Sequence, residues 1–151
     1  MLPVREILLL LSVAGCGLIA GVCFAFATFL MQSFDRLGAP AAIRVMQSLN
    51  AVILRSATMA VWFGTLVVGI VAAVLSGGAL TAVVATVLYG VGAVLITGLG
   101  NVPLNEALDE VAPDAPEAEA AWRRYRVQWG RWNALRTALF VLASMGFALA
   151  I

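Results

Sequence analysis

Four long apolar stretches run along this chain, separated by short or polar segments. The first, from about Ile7 to Met31, contains no charge. The second and third, about Ala57–Leu75 and Ala79–Leu99, are parted only by Ser76-Gly77-Gly78, and the fourth runs from about Trp132 to Ile151. Each comes close to the roughly 20 residues that a helix needs to cross a bilayer. A link as short as Ser76–Gly78 joins antiparallel neighbours. The pattern predicts an all-α, polytopic membrane protein. It forms a single transmembrane domain over residues 1–151, with four transmembrane helices in an antiparallel bundle (spans about 7–31, 57–75, 79–99 and 132–151).

The connections add detail. Residues 32–56 are mildly polar and are broken at Gly38-Ala39-Pro40, since proline disfavours helix at the residue before it. From Ala41 to Arg55, Ile43, Val45, Met46, Leu49, Val52 and Ile53 recur at near-helical spacing among Arg44, Gln47 and Asn50, the pattern of an interfacial helix. After the third span, Pro103 is expected to bend or restart the helix. Asp109 to Glu119 reads as an acidic, solvated loop, and Asp114-Ala115-Pro116-Glu117 as a helix start with an Asp cap and a capping-box Glu. The final helix then has a polar half to about Arg131 and an apolar half beyond it. About 35 residues make roughly 50 Å, more than a ~30 Å hydrocarbon core, so the last helix extends beyond the bilayer. Residues 101–131 form the polar connection and that extension.

Composition changes the picture in one respect. Hydrophobic residues make up 63% and charged residues 11%, against about 45–50% and 25% in soluble domains. A soluble domain of 151 residues buries only about two-thirds of its unfolded surface, too little to hide this much apolar area. Membrane lipid is therefore the expected surrounding. A net charge of +1 provides no field for nucleic acid. Arg5, an apolar run and Val13-Ala14-Gly15-Cys16 imitate a lipoprotein cleavage site, but the run continues to Met31, so a retained helix is expected. Cys16 and Cys23 are separated by roughly 10 Å of helical rise, too far for a disulfide, and read as small buried apolar residues. There is no His, which removes the usual ligand for haem or zinc and the usual catalytic base. Glu106, Asp109 and Glu110 lack the spacing of a known hard-metal loop, so neither metal nor cofactor is expected. Gly17-x-x-x-Gly21-x-x-x-Ala25 gives the first span a small-residue face for close helix packing and leaves a homo-oligomer open.

Arg36, Arg44, Arg55, Arg123, Arg124, Arg126, Arg131 and Arg136 fall on the side of the two long connections, and only Arg5 on the other. By the positive-inside rule the protein lies in the cell membrane, multi-pass, with those connections in the cytoplasm.

The chemistry gathers at the same end. The only Asn residues, Asn50, Asn101, Asn105 and Asn133, all fall there, with Gln32, Gln47 and Gln128. At 100° per residue, Trp122, Tyr125, Arg126, Trp129, Trp132, Asn133 and Arg136 share one broad face of the last helix, with Arg124, Gln128 and Arg131 opposite. Such a face suits the wall of a polar-capped pocket, and equally an aromatic belt with snorkelling arginines. Arg136, at the membrane edge, is expected to need a partner from another helix, with Asn105 and Glu106 as candidates.

Asn101-x-Pro103-Leu104-Asn105-x-x-Leu108 followed by Trp122-x-x-Tyr125-x-x-x-Trp129-x-x-x-Asn133-x-x-Arg136 resembles the anthrone oxygenase-like family of small membrane proteins, also designated DUF1772. Gly17-x-x-x-Gly21 and Gln47-x-x-Asn50 are similar to its pattern too. The resemblance implies a four-helix membrane protein. For members with an assigned activity it implies oxidation of anthrones to anthraquinones by oxygen, without metal or flavin. A family mechanism needing a His base cannot carry over here. On this reading Asn105, Asn133 and Arg136 are catalytic, stabilising an oxyanion. Gln47, Asn50, Asn101, Tyr125, Arg126, Trp129 and Trp132 bind an aromatic or polyketide-like small molecule. Two alternatives stay open: binding or passage of a lipid or small amphiphile without chemistry, and service as an accessory subunit.

Overall fold

A computed structural model describes residues 2–151, and among them every regular element is helical. Five helices follow in order. They are α1 (Val4–Asp35), α2 (Ala39–Ile53), α3 (Ala57–Leu75), α4 (Leu80–Asp109) and α5 (Ala118–Ala148). α1 packs on α5 and α3, and α4 packs on the same two, closing a bundle; α2 lies across one end against α5 and α4.

Three helices, α1, α3 and α4, are long and apolar enough to cross a membrane. The expected fourth span does not reach that standard, because Asn133 and Arg136 fall within the otherwise apolar half of α5. The outward surfaces are apolar, with Leu18, Val67, Val74 and Leu95 all exposed, while the interior is filled by Ala72, Ala82, Ala85, Ala93 and Ala143 beside a few large rings. Small residues inside and large aliphatic ones outside mark helices solvated by lipid. A soluble chain would not display so much contiguous apolar surface. This is a membrane protein.

Close helix approach depends on particular glycines. A Cβ at Gly15 would overlap the Thr65 hydroxyl of α3, and one at Gly92 would lie 2.8 Å from the Phe140 ring of α5. Gly17 and Gly21, expected to serve packing, meet nothing. Their face instead lines an open groove of about 320 Å³ with Ala20, Phe24, Val141, Ser144 and Met145. The hairpin between α3 and α4 forms as expected, with Gly77 and Gly78 at φ of 63° and 75°, a conformation glycine adopts without steric cost.

Three local expectations are refined. α1 runs past Met31 to Asp35 through a π-helical turn at Phe26–Leu30. α4 does not break at Pro103. It widens into a π-helical stretch, Val91–Asn101, and returns to the α repeat with proline in its opening turn. The Val102 N–H bonds to Thr97, so the ladder has shifted before proline, which has no N–H of its own, is reached. The expected Asp cap on α5 is absent: the helix starts at Ala118 without a side-chain cap, and Asp114 pairs with Arg44 of α2 instead.

α5 has 31 residues, roughly 46 Å, so its first turns extend beyond its apolar half. Those turns form a second core with α2 and the end of α4, built from Ala42, Ile43, Met46, Leu108, Trp122, Tyr125 and Trp129.

Candidate functional site

The face of α5 anticipated by its periodicity is largely the buried one. Trp122, Tyr125, Trp129, Asn133 and Arg136 are all buried, and Arg124, Gln128 and Arg131 are exposed. The two members at the edges of the stripe behave differently. Trp132 is 39% exposed and packs on Gly100 of α4, outside the buried cluster. Arg126 is half-buried and turns to α1.

α4 runs antiparallel to α5 and meets this face in rungs. Thr97 Oγ1 accepts from Arg136 Nη1 at 3.4 Å, Asn101 Nδ2 donates to the Trp129 carbonyl at 3.3 Å, and Tyr125 O–H donates to Asn105 Oδ1 at 2.9 Å. The π-helical stretch ending at Asn101 sets the phase that turns Thr97, Asn101 and Asn105 toward one neighbour.

Arg136 is the centre of the arrangement. It is 8% exposed, and among the described residues no carboxylate pairs with it. The acidic partner that sequence reasoning anticipated, Glu106, is exposed, and Asn105 is engaged by Tyr125. Its partner comes instead from its own helix: Asn133 Oδ1 accepts from Arg136 Nε at 3.2 Å and Nη2 at 3.0 Å. Asn133, fully buried, then donates through Nδ2 to the Cys23 carbonyl of α1 at 2.8 Å. Both ends of this amide are engaged, so Asn133 holds the guanidinium in place. The guanidinium lies over two indoles, Trp62 of α3 at 5.5 Å and Trp129 at 5.2 Å, a cation–π setting that supports charge in a desolvated place. A guanidinium has five N–H donors; three are used here.

The aromatic column continues from there. Trp129 packs against Phe26 at 5.4 Å and stacks with Tyr125, which stacks with Trp122. Burial pushes the Tyr125 phenol well above its ordinary range, and Arg136 only partly opposes this. Tyr125 therefore stays a neutral donor to Asn105. The Asn105 nitrogen remains free to donate.

The remaining predicted residues separate. Gln47 donates to the Leu108 and Val111 carbonyls at 2.9 and 3.0 Å, fastening α2 to the end of α4; this satisfies helix-end carbonyls. Asn50 is half-buried, with a buried Nδ2 that has no partner in the protein. Three further buried atoms are orphaned: Asn101 Oδ1, Arg126 Nε and Trp129 Nε1. Such a group costs about 1–3 kcal/mol when left unpaired, so each calls for an explanation.

Four residues escaped sequence reasoning. Asp35 accepts from Trp122 Nε1 at 3.0 Å and Arg126 Nη1 at 2.8 Å, joining the end of α1 to α5; it is the only acid between residues 32 and 56, which was a usable signal. Trp62 is the only Trp outside α5, in an otherwise aliphatic span. Thr97 and Phe26 carried no signal, since their roles depend on helix phase. Beside the cluster, a groove of about 210 Å³ is lined by Tyr125 with Leu104, Leu108, Val111, Arg124 and Gln128.

A family model described as Anthrone oxygenase matches residues 46–146. That range runs from the end of α2 to the last turn of α5 and includes every rung of the α4–α5 seam. No curated protein and no solved structure matches the chain.

Proposed function

The chain belongs to the anthrone oxygenase family, and from that membership we propose that it is a cofactor-independent oxygenase of an electron-rich aromatic or polyketide-like molecule, held as its enolate beside Arg136. One observation carries the reading: a buried guanidinium, positioned by Asn133 and faced by two indoles, has no carboxylate to neutralise it. A buried charge without a counter-ion is costly. An anionic ligand is the natural counterpart.

The chemistry is led by the substrate. An activated CH₂ beside an aromatic ketone loses one proton to become an enolate, and the Arg136 charge favours that form. The enolate carbon supplies the electrons that bond it to oxygen, giving a peroxide on that carbon. Loss of the second C–H proton breaks the O–O bond, leaving a carbonyl and releasing water. The sum is CH₂ plus O₂ giving C=O plus H₂O. The two unused Arg136 N–H groups and the Asn105 amide are the donors for the ring oxyanion, pre-aimed in a water-poor setting where such donation is most effective. Asn133 acts through Arg136. Tyr125 lines the adjacent groove, the approach offered to an aromatic ligand.

In this proposal the apolar half of α5 completes a four-span bundle in the cell membrane, with the Arg-rich connections on the cytoplasmic face. The test is oxygen uptake by the purified protein in detergent with an anthrone panel. One oxygen consumed per anthraquinone formed is expected, with the rate falling about 10²–10³-fold in Arg136→Ala. Equal uptake by that variant would remove Arg136 from the mechanism.

A second reading, lipid binding without chemistry, draws on the open groove between α1 and α5. A retained lipid seen by native mass spectrometry, with no oxygen uptake on any anthrone, would favour it.

A further inference from the structure

Two of the orphaned atoms belong to a single contact beside Arg136. The Asn101 amide nitrogen donates to the Trp129 backbone, while its Oδ1 has no partner, and the Trp129 indole Nε1, on the ring beneath Arg136, has none either. Asn101 is 1% exposed and Trp129 4%, so bulk water does not satisfy them. Their chemistry is complementary: Oδ1 only accepts and the indole N–H only donates. A ketone or ether oxygen can answer the indole but leaves Asn101 unpaired. A hydroxyl answers both, giving its proton to Oδ1 and a lone pair to Nε1. The neighbouring guanidinium favours a hydroxyl whose oxygen carries extra negative charge, and Phe26, Tyr125 and Trp129 provide aromatic walls. These features select a phenol or enol over an aliphatic alcohol.

We propose that Asn101 and Trp129 form a hydroxyl-reading subsite, which takes the O–H of a planar aromatic ligand and so determines specificity. The proposal deepens the reading of this site as an aromatic-binding one and rests on it. It also explains why a polar atom is kept unpaired in the interior: it is held for a ligand.

The probes are 1-naphthol and 1-methylnaphthalene, alike in shape and differing in the hydroxyl. Equilibrium dialysis against the detergent-solubilised full chain should show about tenfold tighter binding of 1-naphthol. Asn101→Leu, which fills the space without the acceptor, should bring that ratio to about one. Without ligand, the same variant should raise the melting temperature by about 2–4 °C, because an unpaired acceptor is gone. Trp129→Phe should lower the ratio less. A wild-type ratio near one, an unchanged ratio in Asn101→Leu, or a lowered melting temperature in that variant overturns the subsite. Oxygen uptake with anthrone, measured alongside, separates the two readings. Uptake with a ratio near one removes the subsite alone; a tenfold ratio without uptake removes the oxygenase chemistry alone.

Discussion

The two ends of this bundle are built on opposite principles. Away from the polar end, α1, α3, α4 and α5 meet through glycines and alanines backed by a few large rings, and the buried polar groups there are paired: Tyr89 O–H donates to the Trp62 carbonyl and Trp62 Nε1 to the Ala93 carbonyl. At the polar end, α2 and the first turns of α5 bring together stacked aromatics, amides and a lone guanidinium. All four of the orphaned buried side-chain atoms among the described residues fall there. In a bilayer, where no water is available to repair an unmade hydrogen bond, that contrast is informative. One end is finished for stability. The other keeps unsatisfied capacity, as expected where a ligand completes the structure.

The contrast can be broken most sharply at Asn133. Asn133→Asp would place a carboxylate where the amide oxygen now accepts from Arg136, neutralising the charge without emptying the space. Turnover of an anthrone in the oxygen assay should fall about 10²-fold, as when a transition-state donor is lost, while thermal stability is retained. Preserved turnover would show that the free charge is not used.

At the finished end, Gly15→Ala should destabilise by about 1–3 kcal/mol, since the added methyl overlaps Thr65 in a packed interface. Thermal unfolding in detergent reads this directly. An unaltered melting temperature would mean that α1 and α3 are not so closely seated.

A third test uses pH. Because burial raises the Tyr125 phenol, the unfolded chain gives up this proton first, at about pH 10. Above that value the folded state binds the extra proton, so wild-type stability should fall relative to Tyr125→Phe by roughly 1.4 kcal/mol per pH step. Below pH about 10 the difference should be flat. Parallel curves across the alkaline range would place Tyr125 in contact with water.

The smallest effect is expected on the open face. Gly21→Ala meets nothing within 4 Å and should change stability by no more than about 0.5 kcal/mol. A larger loss would reveal a neighbour, in the form of a second copy or a bound lipid.

Much of this was legible before any coordinates. Apolar runs of bilayer length and a Ser-Gly-Gly link specify the hairpin and the helices, and a 100° projection selects Trp122, Tyr125, Trp129, Asn133 and Arg136. Periodicity blurs at the margins of a stripe, which is why Trp132 was grouped with residues it does not join. The partner of Arg136 was sought on another helix, although residue i−3 on its own helix is always within reach. Asp35, Thr97 and Trp62 depend on how separate helices are rotated, and no local spacing encodes that. Nor does spacing reveal a helix that changes its hydrogen-bond ladder midway.

That change of ladder makes α4 dependent on its count of residues as well as on their identity. A chain one residue shorter between Val91 and Asn101 would relax toward the ordinary repeat, and everything beyond would swing by about 100°. Asn101 and Asn105 would then face away from α5 with every side chain intact. Deleting a single apolar residue there, far from any charged group, would dismantle the seam as thoroughly as replacing its amides.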